Sequence, residues 1–248
     1  MFVTASIVIY KEPIKTLQKT IVSFLATPCS KKLYIIDNSP TNQLQNYFKT
    51  PEITYVFSGH NLGFGRGHNL ILEDLKKQSD FHLILNPDVQ FQPTVIPYLV
   101  SELQQQKQVA MIAPKVLFED GTLQLTCRKH PTILELIGRR TSVFKNYLLK
   151  RSYSKEIRAT PFFPEFIHGC FLLFKTDAFI EIKGFDERYF LYMEDADICK
   201  KITKIDQKCR FDPRVSIVHL HRKGSSKNVK LFFHHTISVI RYFLKWGI

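Results

Sequence analysis

The sequence predicts an α/β fold, a mostly parallel sheet flanked by helices, from three observations. Through roughly the first 115 residues, short β-like runs alternate with stretches of helical spacing. Alternation of that kind implies parallel strands with helices on both faces. At 248 residues, 44% of them hydrophobic and 21 of them Phe, the chain can bury a core, and with only 10 Gly and 12 Pro it is neither fibrous nor disordered.

VTASIVIY is the first strand candidate. Met1 to Tyr10 carries no basic n-region, and Lys11 and Glu12 break its apolar run, so it reads as a buried strand rather than a signal peptide, with a cytoplasmic protein as the expectation. Ile14, Leu17, Ile21 and Phe24 then recur at helical spacing. KKLYIID, Thr54 to Phe57, FHLIL and VAMIA are further strands, and FEDGTLQL, with Asp120 and Gly121 at its turn, reads as a hairpin. From His130 to Pro164 apolar residues interleave with Lys and Arg, prolines stand near both ends, and the pattern suits contact with a partner. FIHGCFLLF reads as one strand, followed by a helix from Thr176 that stops at Gly184 as a C′ glycine. After EDAD, Ile198, Ile202 and Ile205 share a helical face, and a last helix is expected from about Asn228 to Trp246.

No apolar run reaches about 18 residues, so any membrane contact is expected to be peripheral. The five cysteines are odd in number and lack CxxC spacing, which argues against a disulfide framework or zinc cluster. Thirty-five Lys and Arg against 22 Asp and Glu leave a formal charge of +13, which favours polyanionic partners: nucleic acid, anionic lipid or a diphosphate.

Ligands of such sheets sit at the carboxyl ends of the strands, so the polar residues there are the first site candidates. LILNPDV places Asn86 and Asp88 just past a buried strand; the pair suits an Asx-type turn, or a hard divalent cation that in turn holds a diphosphate. Asp37, in YIIDNSPT, can accept from a base or ribose, or cap a turn. GHNLGFGRGHN offers Gly59, Gly63, Gly65 and Gly67 before a helix, a backbone that can approach a phosphate or sugar or simply turn tightly; the spacing is neither Walker A nor GxGxxG. In FLYMEDADIC, Glu194, Asp195 and Asp197 open a helix, where acids cap, or where one carboxylate takes a proton from an attacking hydroxyl. Adjacent residues point in different directions, so Glu194 and Asp195 are not expected to share a role. VHLHRKGSS sets His219 and His221 on one strand face, as structural residues or as ligands completing a cation site, with Arg222 and Lys223 able to hold a diphosphate.

In this order, SIVIY, IIDNSPT, NLGFGRGHN, LILNPDV, IHGCFLLFKTDAF, GFDERYFLYMEDADIC and VHLHRKGSS resemble the family 2 glycosyltransferases of the GT-A (Rossmann-like) fold. Within that family the sequence is similar to bacterial rhamnosyltransferases of O-antigen and related surface-polysaccharide assembly. The resemblance implies one continuous domain with a nucleotide-sugar-binding half, 1–128, and an acceptor-binding and catalytic-base half, 129–248. It implies that Asp37 contacts the base and that NPD stands where many relatives carry DxD. Asp88 and His219 would bind Mg²⁺ or Mn²⁺, His221 being the alternative ligand. Tyr10, Asn61, Gly65, Asn69 and Asn86 would complete the donor side, with Arg222 and Lys223 steadying the leaving group. Asp195 would be the general base, with Glu194 beside it, and His168, Gly169 and Tyr192 would face the acceptor.

The implied reaction is inverting transfer of a sugar, rhamnose from dTDP-rhamnose first among candidates, from a nucleotide-diphosphate donor to a polyprenyl-linked saccharide or polysaccharide. The place would be the inner face of a bacterial membrane, where the basic segments 130–164 and 228–246 meet anionic lipid, with no nucleic-acid partner. Packing of the C-terminal helix on its own domain, or on a second subunit of a homodimer, is the other use of that segment. Two readings compete. One is a noncatalytic basic α/β binder of nucleic acid or anionic membrane, which leaves the strand-end acids unexplained. The other is a sugar-phosphate nucleotidylyltransferase, which would need a glycine-rich loop after the first strand where this chain has YKEPIKT.

Overall fold

A computed structural model describes residues 1–141, 145–154, 156–158, 160–220 and 229–247. Its first half runs β1 (Phe2–Ile9), α1 (Ile14–Leu25), β2 (Ser30–Asp37), β3 (Ile53–Phe57), α2 (Phe64–Asn69), α3 (Leu72–Gln78), β4 (Phe81–Leu85), β5 (Val89–Phe91), α4 (Val95–Gln104) and β6 (Val109–Leu117). There follow β7 (Cys127–Arg128), α5 (Ile133–Thr141), α6 (Lys145–Lys150), β8 (Phe166–Ile167), β9 (Phe171–Lys175), α7 (Thr176–Glu181), α8 (Glu194–Lys204), β10 (Lys208–His219) and α9 (Val229–Trp246).

The main sheet has the order β3-β2-β1-β4-β9-β6-β10-β5, and β7 pairs with β8 in a small second sheet. The pairings give six of the eight strands one direction; only β9 and β5 run against it. This is the mostly parallel sheet that the alternating pattern predicts. β9 and β10, from the second half of the sequence, lie inside the sheet rather than beside it, so the two halves share one core.

Period-2 alternation divides that core into two layers. Val3, Ala5, Ile7 and Ile9 of β1 and Leu83 and Leu85 of β4 pack with Leu17, Ile21 and Phe24 of α1 and Ile96 and Leu99 of α4. On the opposite face, Tyr34, Ile36, Ile84 and Phe174 meet Leu75 of α3, Phe179 of α7, Ile198 and Ile202 of α8 and Tyr242 of α9. Asp37, the last residue of β2, and Asn86, the first after β4, follow directly on these layers at the carboxyl end of the sheet.

Gly184 does end the α7 turn with a positive φ of 54°, and its N–H donates to Phe179 O at 2.9 Å. FIHGCFLLF, by contrast, is not one strand. It is β8 and β9 with a break at His168–Cys170, where Cys170 N–H donates to His168 O at 3.1 Å and the chain steps from the small sheet into the large one. Gly169 gives the step its clearance, because a Cβ there would stand 3.4 Å from Asp195 Cβ.

On the second face of β1, Thr4 and Ser6 hold two fully buried histidines. Ser6 Oγ bridges His68 Nδ1 at 2.7 Å and His82 Nε2 at 2.9 Å, and Thr4 Oγ1 lies 2.8 Å from His82 Nδ1. Burial lowers both rings, His82 to about 3, so both are neutral at physiological pH. Unfolded histidine titrates near 6.5, so the unfolded chain takes up the proton first as pH falls. Stability is full above about 6.5 and is expected to decline by about 1.4 kcal/mol per pH unit for His82 alone on the way down to 3. Urea unfolding at pH 7.5 and 5.0 checks this: His82→Gln should flatten the pH slope, and an unchanged slope would remove the histidine from the account.

Candidate active site

The loops after β1 and β2 form a pocket of about 360 Å³ lined by Lys11, Asp37, Ser39, Thr41 and Leu44, among others. Asp37 is only 1% exposed, and its carboxylate accepts from Tyr55 OH at 2.5 Å and Ser39 N–H at 2.8 Å. Each oxygen retains one further lone pair, which is what Asp37 can offer a ligand. Burial, then this hydrogen bond, pushes the Tyr55 hydroxyl up, so it stays a donor. Tyr10 is half exposed at the same edge, with Lys11 Nζ 5.6 Å from its ring centre.

Two strand positions away in the sheet, Asn86 and Asp88 follow β4. Their turn is fastened from below by Thr20 of α1, whose hydroxyl donates to Pro87 O at 2.7 Å and accepts from Val89 N–H at 3.1 Å. β10 ends alongside. His219 Nε2 stands 3.2 Å from Asp88 Oδ1 and 3.4 Å from Asn86 Nδ2. Gln124 holds the other side of the ring, its Oε1 3.1 Å from Nδ1 while its Nε2 donates to His219 O at 2.8 Å. Burial opposes a charge on His219, but the bond to Asp88 and the neighbouring Cys170 thiol outweigh it and raise the imidazole to about 10. A divalent cation fits here in place of the proton that Asp88 and His219 Nε2 share, with the carboxylate and the then neutral imidazole as two of its ligands and Gln124 fixing the ring as outer partners of metal-bound histidines do. Among the described residues no three His, Cys, Asp or Glu gather to hold a metal, so a cation here would draw further ligands from diphosphate and water.

The third group opens α8. Asp195 Oδ2 accepts from His168 Nδ1 at 2.5 Å, and Oδ1 from Ala196 N–H at 2.9 Å. His168 is anchored by its own N–H donating to Thr126 O at 2.9 Å. The step at Gly169 and Cys170 joins this pair to the cation pair, since Asn86 N–H donates to Cys170 O at 3.0 Å. Asp88, His219, His168 and Asp195 are thus linked through direct contacts at one edge of the sheet.

Several candidates take other places. Glu194 is buried, its Oε2 has no hydrogen-bond partner, and burial followed by the Asp195 charge raises its carboxyl to about 8. A carboxyl already protonated at neutral pH is not a base, which corrects its pairing with Asp195 as catalytic. Gly65 is not a donor contact either: it is buried within α2, and a Cβ would meet Phe185 Cβ at 2.7 Å. Asn69 is likewise spent inside the protein, its amide donating to Phe185 O at 2.8 Å and accepting from Phe185 N–H at 2.9 Å. Asn61 is exposed and accepts from Gly63 N–H at 3.0 Å. Gly63, with φ of 85°, backs onto Phe190, whose carbonyl oxygen would lie 2.3 Å from a Cβ. The glycine-rich segment therefore docks on the run leading to α8 instead of cradling a phosphate.

That run is tense. Tyr192 and Met193 both have positive φ, 70° and 69°, immediately before the acids. α9 clamps it: Ser238 Oγ donates to Leu191 O at 2.9 Å, the His234 ring stacks on Phe190 at 4.3 Å, and the His235 ring meets Tyr192 at 5.2 Å. Asp197, wholly buried, accepts from Lys245 Nζ and Trp246 Nε1, each at 2.7 Å. His221, Arg222 and Lys223 lie outside the described residues. Gln124, Thr20 and Tyr55 were not singled out from sequence; they act through partners 18 to 95 positions away, which local spacing does not encode.

Comparison with known proteins now adds to this geometry. The model of the family described as Glycosyl transferase family 2 matches residues 4–183. N-acetylglucosaminyl-diphospho-decaprenol L-rhamnosyltransferase of Mycobacterium tuberculosis is 26% identical over 220 residues, 82% of this chain and 70% of the relative. Rhamnosyltransferase WbbL of Escherichia coli K12 is 26% identical over 224 residues, 85% of this chain and 81% of the relative. A crystal structure of GalNAc-T7 with UDP, GalNAc and Mn²⁺ superposes with a TM-score of 0.68 at 16% identity, over 91% of this chain and 44% of that one. This chain thus spans less than half the length of that structure, and the likeness establishes the fold, GT-A, as the sequence predicts.

Proposed function

Because the chain belongs to glycosyl transferase family 2, we propose that it transfers one sugar with inversion from a nucleotide-diphosphate donor to a polyprenyl-diphosphate-linked saccharide. The two rhamnosyltransferase relatives support rhamnose as the sugar, and dTDP-rhamnose is the donor proposed for it. The observation that carries the reading is the chain of hydrogen bonds from Asp195 through His168 and Cys170 to Asn86, with Asp88 and His219 at its end. One-step inversion needs a single base behind the sugar and a charge at the diphosphate, and Asp195 and the Asp88–His219 pair are the residues proposed for those two roles.

In the proposed mechanism the pocket beside Asp37 takes the nucleoside. Asp88 and His219 are the residues to hold Mg²⁺ or Mn²⁺, an ion that offsets charge building on the leaving diphosphate. Arg222 and Lys223 are proposed to assist there. Asp195 accepts the proton of the acceptor hydroxyl, and His168 fixes the carboxylate so that its second lone pairs face the acceptor. Gly169 leaves room for the attacking group, and Tyr192 borders it. In this scheme residues 1–128 supply most of the donor side and 129–248 the base and most of the acceptor side, with His219, Arg222 and Lys223 crossing over to the diphosphate.

The acceptor's lipid tail places the enzyme at the inner face of a membrane. No helix among the described residues is long and apolar enough to cross one. α9, however, turns Phe233, Ile240 and Leu244 outward, 63%, 54% and 82% exposed, on the face opposite Tyr242. That stripe, with the formal charge of +13, suits an interfacial helix on anionic lipid. The test is a panel of nucleotide sugars assayed with a prenyl-diphosphate-linked monosaccharide on anionic vesicles. Transfer is expected from dTDP-rhamnose. Transfer from another donor only would discard the sugar, and an enzyme that never co-sediments with the vesicles would discard the membrane site.

A further inference from the structure

Arg128 has no part in the scheme so far. It is half-buried at the end of β7, opposite Phe166 of β8, and its guanidinium makes no hydrogen bond or ion pair among the described residues. The acids nearest in effect are Glu135 and Asp195. Arg151 Nε already donates to Glu135 at 2.8 Å, and His168 and Ala196 occupy Asp195. None of its nitrogens is among the buried atoms left without a partner, so the fork stays open to solvent and to a ligand, and its shape matches a phosphate.

Its position says which phosphate. The segment from Gln124 to Arg128 meets the reacting groups in order: Gln124 grips His219 at the cation pair, Thr126 O takes the His168 N–H beside the base, and Arg128 comes last. An incoming hydroxyl attacks from the side away from the leaving diphosphate. The remainder of the acceptor would then extend away from the Asp88–His219 end, and Arg128, two positions past Thr126 and within electrostatic reach of Asp195, is placed to meet it.

We propose that Arg128 is an acceptor-recognition residue that binds the phosphate groups through which the acceptor sugar is attached to its lipid. The inference rests on the lipid-diphosphate acceptor proposed above. The same guanidinium chemistry could serve a bilayer headgroup, so the test is run in neutral detergent, where only the acceptor supplies phosphate.

Two acceptors are compared: a short-prenyl diphosphate-linked monosaccharide and the alkyl glycoside of the same sugar. In the wild type the diphosphate acceptor should show the lower KM. Arg128→Met should shrink the ratio of the two KM values by about tenfold or more, and Arg128→Lys should restore part of it. A ratio unchanged by Arg128→Met overturns the proposal, as does an effect seen only on anionic vesicles, which would assign Arg128 to the bilayer. Should Arg128→Met fail to bind the nucleoside diphosphate, Arg128→Lys decides alone: it keeps the charge and loses the fork, and a wild-type ratio in it overturns the proposal. Absence of wild-type transfer to the diphosphate acceptor, with transfer to the alkyl glycoside intact, discards the lipid-diphosphate reading itself and is distinct from a failure at Arg128.

Discussion

Asp195→Asn is expected to cut turnover by about 10²- to 10⁴-fold while leaving donor affinity in place, the loss typical of removing a general base. The substitution keeps the shape of the side chain and removes the basic lone pair that His168 orients. Glu194→Gln is the control next door. Because the Glu194 carboxyl is pushed up to about 8, an amide resembles the form it already has at neutral pH, and its cost in kcat should be less than about tenfold. Single-turnover rates for both variants, beside donor titrations, separate the roles; near-normal turnover in Asp195→Asn would strip that residue of the assignment.

The second large effect concerns the cation. Chelation with EDTA should abolish transfer and Mg²⁺ or Mn²⁺ should restore it, since charge neutralisation at a leaving diphosphate is worth several kcal/mol, on the order of 10³ in rate. Asp88→Ala should show the same loss at any metal concentration, because it removes one of the two protein groups that meet at 3.2 Å. Gln124→Ala should instead raise the metal concentration needed, by about 10- to 100-fold, as loss of a partner that orients a ligand does. Full activity in chelator would leave the diphosphate to Lys and Arg alone.

The strands were legible in the sequence because burial on both faces produces unbroken apolar runs; the strand-end acids stood out as candidates, but turns and caps use the same residues, so spacing alone did not set their role. That Asp88 meets His219 is a fact of sheet order, with β5 pairing β10, and residue spacing alone could not supply it. Gly65 and Asn69 were misread for a related reason. A glycine-rich loop looks open in sequence, yet its filling, Phe185, lies 116 positions from Asn69. Glu194 and Asp195 are both buried, and what separates them is their partners: His168 and Ala196 hold Asp195, while Glu194 Oε2 has none. Arg128 and Gln124 belong to a stretch with no motif, and their value comes from what the small sheet sets beside them.

Trp246 is the chain's single tryptophan, and its indole N–H is bonded to Asp197, two residues from the proposed base, while Lys204 Nζ sits 4.7 Å from its ring centre. Tryptophan emission from this protein consequently originates at one point, the seam between α8 and α9. Nature has placed an optical gauge there: undocking of α9 exchanges a charged, partly enclosed indole for a hydrated one, and the colour of the fluorescence registers it without any label.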